Sequence, residues 1–328
     1  MRPITLFTGQ WADLPFEDIC ALAQKMGYDG LELACWGNHL NVTKAAESDE
    51  YVNHIKATMA KHNLRLYAIG THLIGQCVGD APDQRLNGFA PSELKDKPEE
   101  IRTWAIEEMK KCAVAARRLG ASVCTSFTGS PIWKYWYSFP QTTPEMVEFG
   151  FDEIYRLWKP IMDTFRENGI KYALEVHPTE IAFDYWSTKK LLDKFKDISE
   201  FGINFDPSHL LWQGVSPHIF LNDFIDRVYH VHIKDVTVNL DGRNGILGSH
   251  IEFGDFRRGW DFRSPGRGDV DFESIIRVLN HHGYQGPLSV EWEDSGMDRI
   301  HGATEAVEFL REICFPPSNI KFDDALKS

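Results

Sequence analysis

The chain has no C-x-x-C pair. Its six cysteines (Cys20, Cys35, Cys77, Cys112, Cys124 and Cys314) are scattered over 328 residues. That argues against a thiolate metal ribbon or a dithiol redox motif and suits the reduced, mostly buried thiols of a cytoplasmic protein. Long apolar runs are missing too: no segment approaches the roughly 18 consecutive apolar residues of a membrane span. The N-terminal MRPITLFTGQW has neither the apolar stretch nor the small-residue cleavage site of a signal peptide. Cations are in short supply, 35 Lys and Arg against 48 acids, which leaves a formal net charge of -13. Such a surface repels phosphate backbones, so no nucleic-acid partner is expected. Neither G-x-G-x-x-G nor G-x-x-x-x-G-K-[ST] follows a strand pattern, which disfavours an open nucleotide-binding sheet. With no low-complexity segment and no linker, one domain over 1–314 is expected. A tail, 315–328, follows; Pro316 and Pro317 stop it from continuing the last helix.

What is present is alternation. Short apolar runs at 4–9, 29–36, 64–72 and 121–129 take turns with helical patterns. PFEDICALAQKMG ends on a glycine stop, and PEEIRTWAIEEMKKCAVAARRLG runs from Pro98 to Gly120. Further strands are expected in KYALEVHPTE, FGINFDPSHL, VYHVHIKD and PLSVEWED, each a short apolar run that ends in acids and histidines. Ser187 is expected to cap a helix over 187–195. Leu73–Pro98 and Val236–Gly268 read as long connections. Eight strand–helix units imply a parallel sheet. Within this length they suit an α/β fold, a single (β/α)8 TIM barrel.

The last four strands carry the chemistry. Side chains on a strand alternate faces. Glu175 and His177 therefore share a face, as do Asn204 and Asp206; His230, His232 and Lys234; and Glu291 and Glu293. The opposite faces read Leu174 and Val176, Ile203 and Phe205, Val231 and Ile233, Val290 and Trp292. A barrel keeps its active groups at the C-terminal ends of its strands, where Glu175, Asp206, His232 and Glu291 fall. Three carboxylates and one imidazole make a hard, oxygen-rich set. It favours one divalent metal ion, Mn²⁺ or Mg²⁺, with Co²⁺ or Zn²⁺ as options. The bland alternative is that each residue is an isolated capping or salt-bridged group.

The ordered set E-V-H-P, N-F-D-P-S-H, H-V-H-I-K-D and S-V-E-W-E resembles the xylose-isomerase-like sugar isomerase/epimerase superfamily. Its members include D-tagatose 3-epimerase, inosose isomerase and dehydratase, and endonuclease IV. The resemblance implies a metal held by Glu175, Asp206, His232 and Glu291. It also implies that Glu175 and Glu291 double as catalytic acid/base groups, and that His209 touches a substrate oxygen. Relatives commonly form homo-oligomers, dimers or tetramers.

Other residues are candidates for the small-molecule sugar. His177 reads as a substrate contact or as a support for a ligand, and Lys234 as a cation, an acid or half of a salt bridge. His72 and Trp36 sit at strand ends where a pocket would lie. Glu32 points inward on the second strand, either to substrate or into a buried ion pair. Trp133, Tyr135, Trp136 and Tyr137 form an aromatic loop suited to a lid, to packing or to an interface. Arg243, Arg257, Arg258, Arg263 and Arg267 share one long connection with Asp241, Glu252, Asp255 and Asp261. A salt-bridged surface loop is the preferred reading there, with Arg267 the best substrate contact among the five.

The leading functional expectation is a metal-dependent isomerase or epimerase acting on a ketose, keto-sugar or inosose through an enediolate. A dehydratase or lyase shares the first step and differs only in expelling a β-hydroxyl. An endonuclease IV-like nuclease is disfavoured: the fourth strand ends in SFTG without a histidine, the long loop has no D-x-H pair, and the charge is wrong. A sugar-binding barrel without turnover is disfavoured because all four ligand positions are filled.

Overall fold

Period-two alternation in short apolar runs gives eight parallel strands that close on themselves. The computed structural model describes residues 1–326, so residues 327–328 of the expected tail lie outside the described residues. The strands are β1 (Ile4–Phe7), β2 (Gly30–Ala34), β3 (Arg65–Gly70), β4 (Val123–Ser126), β5 (Lys171–Glu175), β6 (Phe201–Phe205), β7 (Val228–Ile233), β8 (Asp235–Val238), β9 (Trp260–Arg263) and β10 (Leu288–Val290). The barrel order is β1-β10-β7-β6-β5-β4-β3-β2, and β8 and β9 form a separate antiparallel pair. The seam closes with Ile4 beside Leu288 and Leu6 beside Val290. The fold is therefore the expected TIM barrel.

The helices are α1 (Phe16–Met26), α2 (Val42–Glu47), α3 (Asp49–Lys61), α4 (His72–Gly79), α5 (Pro98–Leu119), α6 (Pro144–Asn168), α7 (Tyr185–Lys194), α8 (Pro207–Leu211), α9 (Pro217–Phe224), α10 (Phe272–His281) and α11 (Arg299–Ile313). Their apolar faces pack on the outer faces of the strands in one continuous core. Inside the barrel, Ala68, Val123 and Ala173 pack with Tyr229 at the strand starts. Tyr229 sits at a register shift, where Ile203 pairs with Val228 and Asn204 with His230. A polar layer lies above this small apolar plug, and the candidate site lies above that. No helix among the described residues is long and apolar enough to cross a membrane.

The structure corrects three local expectations. Ser187 is not the cap of α7. Asp184 is, accepting from Ser187 N–H at 2.8 Å, while Ser187 Oγ accepts from Asp184 N–H at 2.9 Å. The stretch from Leu73 is not all connection, because α4 occupies its start, buried along nearly its whole length. A Cβ on Gly75 would meet Phe127 O at 2.1 Å, and one on Gly79 would meet Thr128 O at 2.3 Å. Two glycines one turn apart thus let α4 lie directly on the backbone after β4. Finally, the connection from Val236 contains the β8–β9 hairpin.

That backbone after β4 is held by two buried acids. Glu180 Oε2 accepts from Thr128 N–H at 2.7 Å and Gly129 N–H at 2.6 Å, and Asp80 Oδ1 accepts from Ser130 N–H at 3.2 Å. Burial, then the Asp80 charge, pushes the Glu180 carboxyl up to about 8. Burial likewise pushes Asp80 up to about 6. A neutral Glu180 has an acceptor for its proton, since Thr179 Oγ1 lies 3.1 Å from Oε1.

The folded state thus keeps a proton on Glu180 where the unfolded chain has lost it. Stability therefore falls as pH rises from the unfolded value of 4.5 toward about 8, by at most about 1.4 kcal/mol per pH unit for this one proton. Glu180→Gln mimics the protonated acid. It is expected to match wild type in urea unfolding at about pH 5 and to exceed it at about pH 8.5. An equal difference at both pH values would contradict this.

Candidate metal centre

The C-terminal ends of β5, β6, β7 and β10 bring Glu175, Asp206, His232 and Glu291 to one point. One ligand atom from each lies within 4.8 Å of all the others. Their residues are 2%, 1%, 0% and 6% exposed, respectively. His232 Nδ1 stands 2.9 Å from Glu291 Oε2 and 3.3 Å from Glu175 Oε2. Even so, Nδ1, Glu291 Oε2 and Asp206 Oδ2 have no aligned hydrogen-bond partner, and neither has His209 Nε2. Buried polar atoms rarely go unsatisfied. Atoms that converge without pairing are arranged around a shared centre, and a divalent cation fits this donor set.

Each carboxylate is oriented by its own partners. Glu175 Oε2 lies 3.0 Å from His72 Nε2 and accepts from Asn204 Nδ2 at 3.3 Å, and Glu175 Oε1 lies 3.2 Å from His209 Nε2. Asp206 caps α8, accepting from Ser208 N–H and Oγ–H at 2.7 Å each through Oδ1, which leaves Oδ2 free for the centre. Glu291 Oε1 accepts from Gln10 Nε2 at 2.9 Å and lies 3.3 Å from Lys234 Nζ. Lys234 also reaches Glu293 at 3.1 Å and sits 4.2 Å above the Phe262 ring.

The electrostatics follow. Burial raises the Glu175 carboxyl, but the imidazoles of His209, His232 and His72 close beside it outweigh burial and hold the group well below the usual range. Burial also works against ionisation of Glu291, yet Lys234 and His232 bring it down to about 2. Burial raises Asp206. Burial lowers His232, but Glu32 and Glu291 raise it further, so the ring is held as an imidazolium among the acids. A cation held here would take the place of that proton on Nδ1. His177 is pushed the other way, by burial and then by His209, and stays neutral.

Most other sequence candidates gather around this point. His72 and His209 contact Glu175 directly. The His177 ring lies 4.1 Å from that of His209, at the rim. Trp36 stands edge-on to His72 at 6.1 Å and donates to Gly9 O. Glu32 is the buried ion-pair residue of the two options, pairing with His230 and His232. Trp133 and Trp136 pack edge-on against Phe183, and Tyr137 is exposed.

Arg267 is a correction. Its guanidinium forms a two-pronged pair with Glu305 on α11 at 2.5 and 2.8 Å, at the surface. Its neighbours follow the salt-bridged reading: Arg243 pairs with Asp241, Arg257 with Asp255 and Arg263 with Asp261. Arg258 differs, buried and stacked between Phe253 and Trp260.

Two contributors carry no signal in the sequence. Gln10 holds Glu291 and Glu293 from the turn after β1. Phe262 reaches the site only because the β8–β9 hairpin folds back over it. Together with Phe253, Asp261, Trp292, Asp294, Ser295 and Arg299 they line a cavity of about 270 Å³ beside Glu293.

Comparison with known proteins gives a consistent picture. The family described as "Xylose isomerase-like TIM barrel" matches residues 20–313. The protein YfiH of Bacillus subtilis (strain 168), described as uncharacterized, is 26% identical over 94% of this chain and 98% of its own length. An inosose dehydratase of Clostridium perfringens is 30% identical over 152 residues, 45% of this chain and 49% of that protein. Among solved structures, a probable 3-DHS dehydratase from Bacillus anthracis superposes with TM-score 0.66 at 18% identity, covering 94% of this chain and 98% of that one. A 3-keto-D-glucoside 4-epimerase from E. coli gives TM-score 0.66 at 15% identity, covering 95% and 100%.

If the converging atoms are ligands, chelator-stripped protein takes up one equivalent of Mn²⁺ in a calorimetric titration. Saturation at 100 times Kd then adds about 2.7 kcal/mol of stability. Asp206→Asn is expected to lose both effects. Uptake unaltered by that substitution would place the metal elsewhere.

Proposed function

Because the chain belongs to the xylose isomerase-like TIM barrel family, we propose that it is a metal-dependent isomerase or epimerase of a ketose, keto-sugar or inosose, working through an enediolate. The observation that carries this reading is the pair Glu175 and Glu291. They approach one centre from β5 and β10, with oxygens 3.3 and 2.9 Å from His232 Nδ1, in a buried site.

A cation held by Glu175, Asp206, His232 and Glu291 would polarise a substrate carbonyl and its neighbouring hydroxyl. The chain's own residues do the rest. Glu175 and Glu291 are held ionised, ready to take a proton from the carbon beside the carbonyl. Coming from different, non-adjacent strands, they suit removal on one face and return on the other. Lys234 remains an ammonium group and offsets the charge that builds up on oxygen. Its contacts with Glu291 and Glu293 make it a fixed charge rather than a proton donor. His209 and His177 lie where substrate hydroxyls would reach. Phe262 of the β8–β9 hairpin, packed over Lys234 and His209, gives the site an apolar wall.

A second reading, dehydration of a keto-sugar or inosose, draws support from the inosose dehydratase relative. The two share proton abstraction and part at the next step, because the leaving hydroxyl belongs to the substrate.

The test is solvent exchange in D₂O with metal-loaded protein and a panel of ketoses, keto-sugars and inososes, followed by NMR. Deuterium is expected at the carbon beside the carbonyl, and the product, rearranged sugar or enone, assigns the reaction. Glu291→Gln is expected to slow exchange by about 10²–10⁴-fold. Absence of exchange with every substrate while metal is bound would sink the enediolate reading.

A further inference from the structure

Below the candidate ligands, the barrel interior holds one more carboxylate, Glu32 on β2, fully buried. Four side chains from three other strands converge on it. Its Oε2 lies 2.9 Å from His230 Nε2 and 3.0 Å from His232 Nε2, and accepts from Ser289 Oγ–H at 2.7 Å. Its Oε1 lies 3.2 Å from His232 Nε2 and accepts from Thr125 Oγ–H. An acceptor so placed fixes which nitrogen of His232 carries hydrogen. With Nε2–H donated down to Glu32, the lone pair of Nδ1 faces up toward Glu175, Asp206 and Glu291. Phe7 stacks on the same ring at 5.3 Å and holds its plane.

We infer that Glu32 is a positioning residue for the centre: it sets the tautomer and orientation of His232 and so presents Nδ1 to a divalent cation. This rests on the metal reading above. Glu32, His230 and His232 also lie close enough together to form a ligand set of their own, and the packing opposes that. Both carboxylate oxygens are already occupied by donors, and the trio is sealed from solvent, with His232 already turned to the upper site through its other nitrogen. A carboxylate behind a ligating imidazole raises its basicity and fixes its direction, and loss of such a partner weakens metal binding.

The experiment uses the full chain, stripped of metal and titrated with Mn²⁺ by calorimetry, and with Co²⁺ by visible absorption. Wild type is expected to take one equivalent; failure to bind would sink the metal reading and this inference with it. With binding established, Glu32→Gln is expected to weaken Mn²⁺ affinity by about 10–100-fold and to shift the Co²⁺ spectrum. Glu32→Asp, which keeps the charge but withdraws it by one methylene, is expected to fall between, and it carries the test if the Gln variant does not fold. Wild-type affinity and spectrum in both Glu32 variants would overturn the inference. So would two equivalents in wild type reduced to one in Glu32→Gln, which would make the lower trio a ligand set instead.

Discussion

Three carboxylates cannot sit within a few ångströms of each other in a dry interior without compensation, and the upper half of this barrel is arranged around that constraint. The cost of burying even one unpaired charge runs to several kcal/mol. Glu175, Asp206 and Glu291 are therefore met from every side. His72 comes from the start of α4, His209 from α8, Lys234 from the end of β7 and Gln10 from the turn after β1. His232, itself steadied by Glu32, stands in the middle. The same arrangement that makes the acids tolerable leaves Asp206 Oδ2, Glu291 Oε2 and His232 Nδ1 unpaired. What remains uncompensated is what a doubly charged ion would supply.

The layering of the interior follows from this. Small apolar side chains fill the floor, where Ala68, Val123 and Ala173 meet Tyr229. The next layer is a polar brace, one acid tying β2 to β4, β7 and β10. Only above it do the acids open toward the mouth. Rigidity is handed upward from a packed floor to a hydrogen-bonded brace to groups that must hold position without touching. The long helices contribute little to the chemistry; the short ones, α4 and α8, each deliver a histidine.

Much of this was legible in the sequence, for a physical reason. Buried strands must place apolar residues outward, so every polar residue on the other face of β5, β6, β7 and β10 stood out, and the structure brings those side chains together. Legibility failed where period gave no signal. The sequence HLIGQCVG has no polar face, because α4 is buried all round and owes its place to Gly75 and Gly79 rather than to amphipathicity. The hairpin escaped because its strands are separated by a long excursion and pair only in three dimensions. Arg267 misled because charge in a loop says nothing about its partner; Glu305 lies on the last helix, far along the chain. Gln10 had no distinguishing neighbour at all.

The excursion after β7 leaves and rejoins the barrel at one side chain. Asp235 Oδ1 accepts from Val236 and Val270 N–H, and Oδ2 from Gly266 and Gly268 N–H, at 2.8 to 3.1 Å. Outgoing and returning chain are thus clasped at the root, next to Lys234. Between the clasped ends the chain touches the site through Phe262 of β9, which lies under Lys234 and edge-on to His209. The barrel has a socket there, and from it the excursion 239–259 reaches the mouth through Phe253, packed on Phe262.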